Sequence, residues 1–154
     1  MGRATVLAGL LFLGLFVNVF AAEPTPYISP GVQIGYTFEK GTFIGAQLSL
    51  GVYFDENTTG GFTSGVAFGF RVYKTESLIY QDVQLGSVLA GAGLGMVHKK
   101  TDNKYVYYGE KYKLWAGVLG LGTLDFINTT EGAMFISPGL MGVFPLGSWN
   151  IGHL

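Results

Sequence analysis

Residues 42–54 read TFIGAQLSLGVYF, and this stretch decides the fold class because its side chains alternate with a period of two. Apolar residues occupy the even positions from 44 to 54, whereas glycine, glutamine and serine occupy the odd positions from 45 to 51. Successive side chains of a strand point to opposite faces. The pattern therefore predicts a β-strand between an apolar environment and a small or polar one.

The same alternation recurs along the chain. Residues 32–38 and 62–72 repeat it, and residues 78–98 shift its phase near Gly86. A phase shift indicates a bulge or a turn, because strand register has a period of two. Residues 78–98 and 105–127 are each longer than the roughly 9–11 residues of a membrane strand. Each segment therefore predicts either two strands or one strand that projects beyond the membrane. Turn signals separate the runs, at residues 39–41, 55–61, 74–77, 99–104 and 128–132.

The composition excludes several classes of protein. Glycine supplies 25 of 154 residues, charged residues are only 12% and aromatic residues reach 15%, which is unlike a disordered chain. Because cysteine is absent, the chain cannot be a disulfide scaffold, a cysteine-ligated metal site, a cysteine nucleophile or an acyl-anchored lipoprotein. The formal charge of −1 provides no basic field, so we expect no nucleic-acid partner.

The N-terminus is typical of an export signal. Arg3 is the only charge before Glu23, and the intervening segment is almost wholly apolar. Small residues favour cleavage after Ala21, so residues 1–21 are a predicted signal peptide and residues 22–154 a single β-barrel domain. An uncleaved anchor is the alternative, because residues 4–22 nearly suffice to span a bilayer.

The distribution of apolar residues favours a membrane barrel over a soluble sandwich. In a soluble sandwich the second face of each strand is rich in charge, but here it is nearly uncharged. Strands in lipid must close so that every backbone group is paired. We therefore predict an all-β fold, an antiparallel up-and-down transmembrane β-barrel of about eight strands, with about 15 residues for each strand and turn.

Each face of these strands has an expected environment. The unbroken apolar face predicts lipid contact for Leu48, Leu50, Phe68 and Phe70. Glycine inside strands is normally unfavourable, so a crowded interior is expected beside Gly45, Gly65, Gly69, Gly91, Gly93 and Gly95. A weak internal repeat, YISPGV at 27–32 and FISPGL at 135–140, would mark the two strands that close the sheet; chance similarity is the alternative.

The chain resembles the small bacterial outer-membrane β-barrels. The resemblance rests on the exported start, on the glycine-rich alternation and on segments such as GVQIGYTF at 31–38, and it covers nearly all of residues 22–154. It implies residence in the bacterial outer membrane, with outer-membrane lipid as a partner. Members of that class usually end in an aromatic residue, whereas this chain ends in IGHL.

Charged residues within the strand patterns are candidates for an interior network. We predict that Arg71, Asp82, Glu110 and Lys113 form ion pairs across the lumen, because charges on a strand must face water or each other. Arg71 and Asp82 are the favoured pair, since both lie close to the same predicted turn. A network that fixes a narrow barrel is the first interpretation, and a gated pore or small-solute path is the second.

A basic loop is the candidate contact surface. Lys99, Lys100 and Lys104 lie beside three tyrosines in the segment 105–108. One interpretation is a solvated loop above an aromatic girdle. The other is contact with anionic lipid headgroups, lipopolysaccharide or another surface partner.

The sequence offers no constellation for catalysis. His98 lies at a strand end and His153 is the penultimate residue, with no His-x-Ser pair of the kind that some lipid-modifying barrels use. The carboxylates are dispersed, and the glycine-rich segment 91–96 lacks the helix and lysine of a nucleotide loop. We therefore expect no enzyme activity, no catalytic or metal residue and no cofactor.

Two functional hypotheses follow. The first is a small non-enzymatic outer-membrane barrel with a structural or surface-interaction role. The second is a subunit of an extracellular β-rich fibre, whose apolar faces are buried between protomers. A lipid-modifying barrel enzyme is a distant third, for want of an acid–base pair.

Overall fold

The computed structural model describes residues 24–54, 61–87, 89–101, 104–117 and 121–144. These residues contain no helix long and apolar enough to cross a membrane. The predicted signal peptide, residues 1–21, lies outside the described residues. The strands are β1 (Pro24–Thr37), β2 (Gly41–Phe54), β3 (Phe62–Val72), β4 (Ser77–Ser87), β5 (Ala90–Thr101), β6 (Lys104–Ala116), β7 (Leu121–Thr129) and β8 (Met134–Val143).

The eight strands form one closed antiparallel barrel. Each strand pairs with the next in sequence, and residues 31–35 of β1 pair with residues 139–143 of β8 to complete the ring. This arrangement confirms the predicted eight-stranded up-and-down barrel. The two copies of the internal repeat, 27–32 and 135–140, lie in β1 and β8, the strands that close it.

The alternation of the sequence determines which side chains enter the lumen. Odd-numbered residues point inward in most strands, as Gln33 and Gln47 do, whereas in β4 the even-numbered Leu78, Tyr80 and Asp82 are buried. The phase returns to odd in β5, which begins at Ala90 as a separate strand antiparallel to β4. The predicted long segments 78–98 and 105–127 are accordingly two strands each.

The two ends of the barrel differ. At one end, called the turn end, lie the connections between β1 and β2, β3 and β4, β5 and β6, and β7 and β8. The first of these turns places Glu39 at φ 72° and Gly41 at φ 89°, a region in which glycine is the natural residue. At the opposite end, called the terminal end, β1 begins and β8 finishes.

A bulge lengthens β6 near the turn end. The register with β5 jumps between Val97, which pairs with Gly109, and His98, which pairs with Tyr107, so Tyr108 is the extra residue. Neighbouring β7 ends at Thr129, opposite Gly109, and β4 pairs with β5 only as far as Lys99. Residues 100–101 of β5 and 104–107 of β6 therefore project beyond both neighbours as a two-stranded hairpin.

The exterior of the barrel is apolar. Ile44 and Leu140 are each 64% exposed, and Phe68 and Phe70 are about half exposed. The four residues expected on the apolar face, Leu48 and Leu50 included, all point outward. Two aromatic residues near strand ends, Tyr36 and Phe38, stack edge to face outside the barrel with ring centroids 5.7 Å apart.

Inside the barrel, glycines make room for large side chains on neighbouring strands. An added Cβ at Gly45, Gly65 or Gly95 would collide with backbone of the adjacent strand. In three cross-strand pairs an aromatic ring covers the glycine directly opposite: Phe43 over Gly35, Tyr80 over Gly69 and Trp115 over Gly91. The crowded interior predicted from the glycine content is therefore present.

The degree of crowding differs between two glycines of β5. A methyl group at Gly95 would lie 2.8 Å from Asp82 Cα and closer still to the Gln81 carbonyl oxygen. At Gly93 the nearest atoms would be 3.3 Å away, one of them in the flexible Gln84 side chain. We expect Gly95→Ala to lower the free energy of unfolding by about 1–3 kcal/mol and Gly93→Ala to lower it less, as measured by urea denaturation. Equal losses would contradict this account of the interior.

Candidate functional site

The interior charges form two ion pairs, one across the lumen and one over β5, between residues that both pair with Gly95. Arg71 on β3 bonds through Nη2 to Asp125 Oδ2 on β7, on the opposite side of the ring. Lys111 Nζ on β6 lies 2.6 Å from Asp82 Oδ2 on β4. All four side chains are almost completely buried. Pairing makes burial of these charges tolerable. Arg71 Nη1, Asp82 Oδ1 and Asp125 Oδ1 nevertheless have no hydrogen-bond partner among the described residues.

Amide and aromatic groups link the two pairs. Gln33 Oε1 accepts hydrogen bonds from Arg71 Nε and Nη2, at 3.3 and 3.1 Å. Gln33 Nε2 donates to Gln47 Oε1 at 3.0 Å and also contacts the Tyr80 hydroxyl. The Tyr80 ring in turn lies 3.6 Å from Lys111 Nζ, a cation–π contact. The polar groups therefore form one continuous network, which we call the central network.

Lys113 is the third cation of this network. Its Nζ donates to Gln47 Oε1 at 2.8 Å and approaches Met141 Sδ at 3.6 Å. Among the described residues no carboxylate lies within salt-bridge distance of it, so Lys113 enters the lumen as predicted but the ion pair predicted for it is not formed. The lumen thus holds, among the described residues, three basic and two acidic buried side chains, a formal excess of one positive charge.

The predicted pairing of Arg71 with Asp82 is wrong. Both side chains enter the lumen, but the register of β3 with β4 places Arg71 opposite Leu78 and Asp82 opposite Ala67. The two residues therefore lie four positions apart along the strands, about 13 Å. Each finds a partner on a more distant strand instead of on its hairpin neighbour.

The interior placement predicted for Glu110 is also wrong. Glu110 is exposed on the outside of β6, where its carboxylate accepts a hydrogen bond from the Tyr112 hydroxyl at 2.9 Å. Even-numbered residues of β6 point outward at this level, so the odd-numbered Lys111 and Lys113 point inward. Lys111 and Asp125 were not among the predicted residues. Lys111 could have been predicted, because the apolar Tyr112 and Leu114 point outward and the odd-numbered residues of β6 must therefore point inward.

An apolar cluster fills the lumen between the central network and the turn end. Its buried members are Phe43, Tyr73, Leu78, Tyr80, Val97 and Ile127. Beside it, the Thr37 hydroxyl lies 2.8 Å from the Tyr73 hydroxyl and 2.7 Å from Ser137 Oγ. The described residues therefore close the lumen at this level, which disfavours the pore interpretation of the interior charges.

A second charged cluster covers the apolar cluster at the turn end. Glu76 binds Lys40 and also Lys99, whose Nζ lies 2.6 Å from Glu76 Oε2. Lys40 Nζ lies 4.8 Å from the Tyr108 ring centroid and 4.5 Å from that of Phe135. Partial burial opposes ionisation of Glu76, but the hydrogen bonds from the two lysines prevail and hold its pKa below its usual value.

The structure separates the three lysines of the predicted contact surface. Lys99 lies in the Glu76 cluster, so its charge is already paired. Lys100 and Lys104 are exposed on the projecting hairpin, next to the exposed Tyr105 and Tyr107. The surface available to a partner is therefore the hairpin with its two outer lysines.

The described residues hold no group of three histidines or acidic residues that could bind a metal ion. The His98 ring packs edge to face on Tyr107, with centroids 5.8 Å apart. His153 lies outside the described residues.

Comparison with known proteins assigns no family to the chain. No protein-family model matches it, and no curated protein matches its sequence. Its function has to be inferred from the geometry and chemistry of the described residues.

The two ion pairs make a quantitative prediction. Arg71→Met or Asp125→Leu alone should destabilise the barrel by about 3–5 kcal/mol, because each leaves one buried charge unpaired. The double variant should recover much of that loss, and Lys111 with Asp82 should behave in the same way. Double-mutant cycles by urea denaturation measure the coupling.

The cycle between Arg71 and Asp82 is the matched control. Both residues are buried and charged, but they do not contact each other. Its coupling energy should be smaller than that of either ion pair. A larger value would show that the pairing described above is incorrect.

Proposed function

We propose that this chain is a small, non-enzymatic β-barrel of the bacterial outer membrane with a structural or surface-interaction role. One observation carries the proposal: the polarity of the barrel is inverted. Its buried charges lie in the lumen, whereas large apolar side chains cover the outside of a closed ring of strands. Water would oppose this arrangement, and lipid would favour it.

Closure of the barrel supports lipid over the fibre hypothesis. A fibre subunit needs a free strand edge or a flat apolar face for its neighbours. In this chain each strand is hydrogen-bonded on both sides over part of its length, and the apolar surface is curved around the ring. Lipid can cover such a surface from every direction without a specific partner.

A surface role follows from the direction of the chain. An even number of strands puts both ends of the described barrel on one side. A chain that enters the outer membrane from the periplasm would keep that side inward, so the turn end would face the exterior. The hairpin with Lys100 and Lys104 would then meet anionic lipid headgroups or polysaccharide.

Two features support a non-enzymatic role. The apolar cluster closes the lumen at its level, and the polar side chains of the central network are held in contacts with one another. The buried carboxylates, Asp82 and Asp125, are both held in ion pairs. His98 lies by Tyr107 at the turn end, at the far side of the apolar cluster from the central network. None of these groups is arranged as an acid–base pair around open space.

Membrane residence can be tested with one substitution and its control. Phe68→Arg should lower the free energy of unfolding in lipid vesicles by about 2–4 kcal/mol if Phe68 lies near the bilayer midplane. Val106→Arg, equally exposed but on the projecting hairpin, should cost much less. The unsubstituted protein should also migrate differently on a detergent gel before and after boiling. Equal costs at the two sites would argue against a membrane environment.

The surface role can be tested on the hairpin. Replacing Lys100 and Lys104 together with glutamine should weaken binding of lipopolysaccharide by roughly thirtyfold, since each lysine contributes about 1 kcal/mol near an anionic surface. Binding is measured with the protein in nanodiscs of neutral lipid. Lys74→Gln, at another exposed turn of the same end, is the control and should leave affinity unchanged. Unchanged binding in the double variant would eliminate the hairpin as the contact surface.

A further inference from the structure

The side chains of the described residues leave part of the terminal half of the lumen unfilled. A cavity of about 130 Å³ lies there, on the side of the central network away from the apolar cluster. Its size is close to the roughly 150 Å³ that holds one benzene molecule in an engineered protein cavity. Among its lining residues are Tyr27, Ser49, Gln84, Trp115, Leu121 and Met141. Because the turn end is closed, the described lumen has the form of a cup and not of a channel.

Lys113 lies beside the cavity and, among the described residues, has no carboxylate within salt-bridge distance. Lys113 contacts Gln47 and Met141, both of which line the cavity. An ammonium group has three N–H donors, and these two contacts use only two of them. The third has no acceptor among the described residues. Since an unpaired buried charge is costly, an anion in the cavity would stabilise the barrel.

A second donor without an acceptor lies at the same place. Gln84 Nε2 is buried and has no hydrogen-bond partner among the described residues, and Gln84 lines the cavity. Gln84 and Lys113 flank Gly93, which pairs with both in register. Because Gly93 has no side chain, the Gln84 and Lys113 side chains lie close together above it: a Cβ at this position would be 3.3 Å from Gln84 Cγ and 3.7 Å from Lys113 Cβ.

The rest of the wall determines the class of ligand. Trp115, Leu121, Met141 and Val143 give the cavity an apolar side, which a halide or a phosphate would leave uncovered. A carboxylate offers two oxygen acceptors, one for each free donor, and can carry an apolar group of the right size. We propose that the cavity binds a small monocarboxylate between Lys113 and Gln84, with its apolar end against Trp115 and Leu121.

The cavity contains its own reporter. The chain has two tryptophans, Trp115 and Trp149, so Trp149→Phe leaves Trp115 as the single tryptophan. Its ring lies 6.0 Å from Lys113 Nζ and lines the cavity. Trp149→Phe protein folded in detergent micelles is titrated with sodium butyrate at constant pH and ionic strength, and Trp115 fluorescence is recorded. We expect a saturable change.

Two further probes test the chemistry of the ligand on the same protein. Butyramide has the same shape without the charge, and chloride has the charge without the apolar group. Neither should produce the saturable change at the concentrations at which butyrate does. A matching response to butyramide would overturn the need for an anion, and a matching response to chloride would overturn the carboxylate. Absence of any saturable change with butyrate would overturn the site.

Variants of the two donors test their roles. Lys113→Met should weaken butyrate binding at least tenfold, because it removes a charge-assisted hydrogen bond. Gln84→Leu should weaken it less, and Lys100→Met, on the external hairpin, should leave it unchanged. Retention of the heat-dependent gel shift shows that each variant is folded. If Lys113→Met does not fold, Lys113→Arg keeps the cation and should bind. Unchanged affinity in folded Lys113→Met or Gln84→Leu, or loss of binding in folded Lys113→Arg, would overturn the assignment.

Discussion

Closure of β1 onto β8 is the constraint on which the remaining structure depends. Once eight strands form a ring, about half of the side chains must share a narrow lumen. Glycine opposite an aromatic ring is one solution to that crowding, as with Gly69 beneath Tyr80 and Gly91 beneath Trp115. The other solution is to place long polar side chains where they can reach across the lumen, as Arg71 does.

The lumen is layered along its axis. The Glu76 cluster lies at the turn end, followed by the apolar cluster, the central network and the terminal cavity. Neighbouring layers stabilise each other. The apolar cluster excludes water from the ion pairs, and the aromatic rings of Phe43 and Tyr80 lie against Arg71. Polar atoms without a hydrogen-bond partner among the described residues remain in two of these layers: Gln84 Nε2 at the terminal cavity, and Arg71 Nη1, Asp82 Oδ1 and Asp125 Oδ1 in the central network.

Sequence alone predicted the fold well, because the alternation in residues 42–54 and its repeats fixes both strand identity and the direction of each side chain. The sequence was less informative about which charged side chains pair with each other inside the lumen. Local alternation could assign Lys111 and Lys113 to the interior, and Glu110 to the exterior, once the phase of β6 was read from Tyr112 and Leu114. Pairs such as Arg71 with Asp125 depend on the diameter and stagger of the closed ring, which no local pattern contains.

The separation of paired charges in the sequence and across the ring also affects how the barrel folds. Arg71 and Asp125 are 54 residues apart in sequence, on strands that meet only across the lumen, and Lys111 and Asp82 are 29 apart. A sheet whose ends have not met leaves Arg71 and Asp125 apart, so their ion pair stabilises only the closed state, whereas Lys111 and Asp82 can already pair within β4, β5 and β6. Contacts of such long range also slow assembly. The Arg71–Asp125 pair should therefore make the last step of folding cooperative, because ring closure and neutralisation of these two charges occur together.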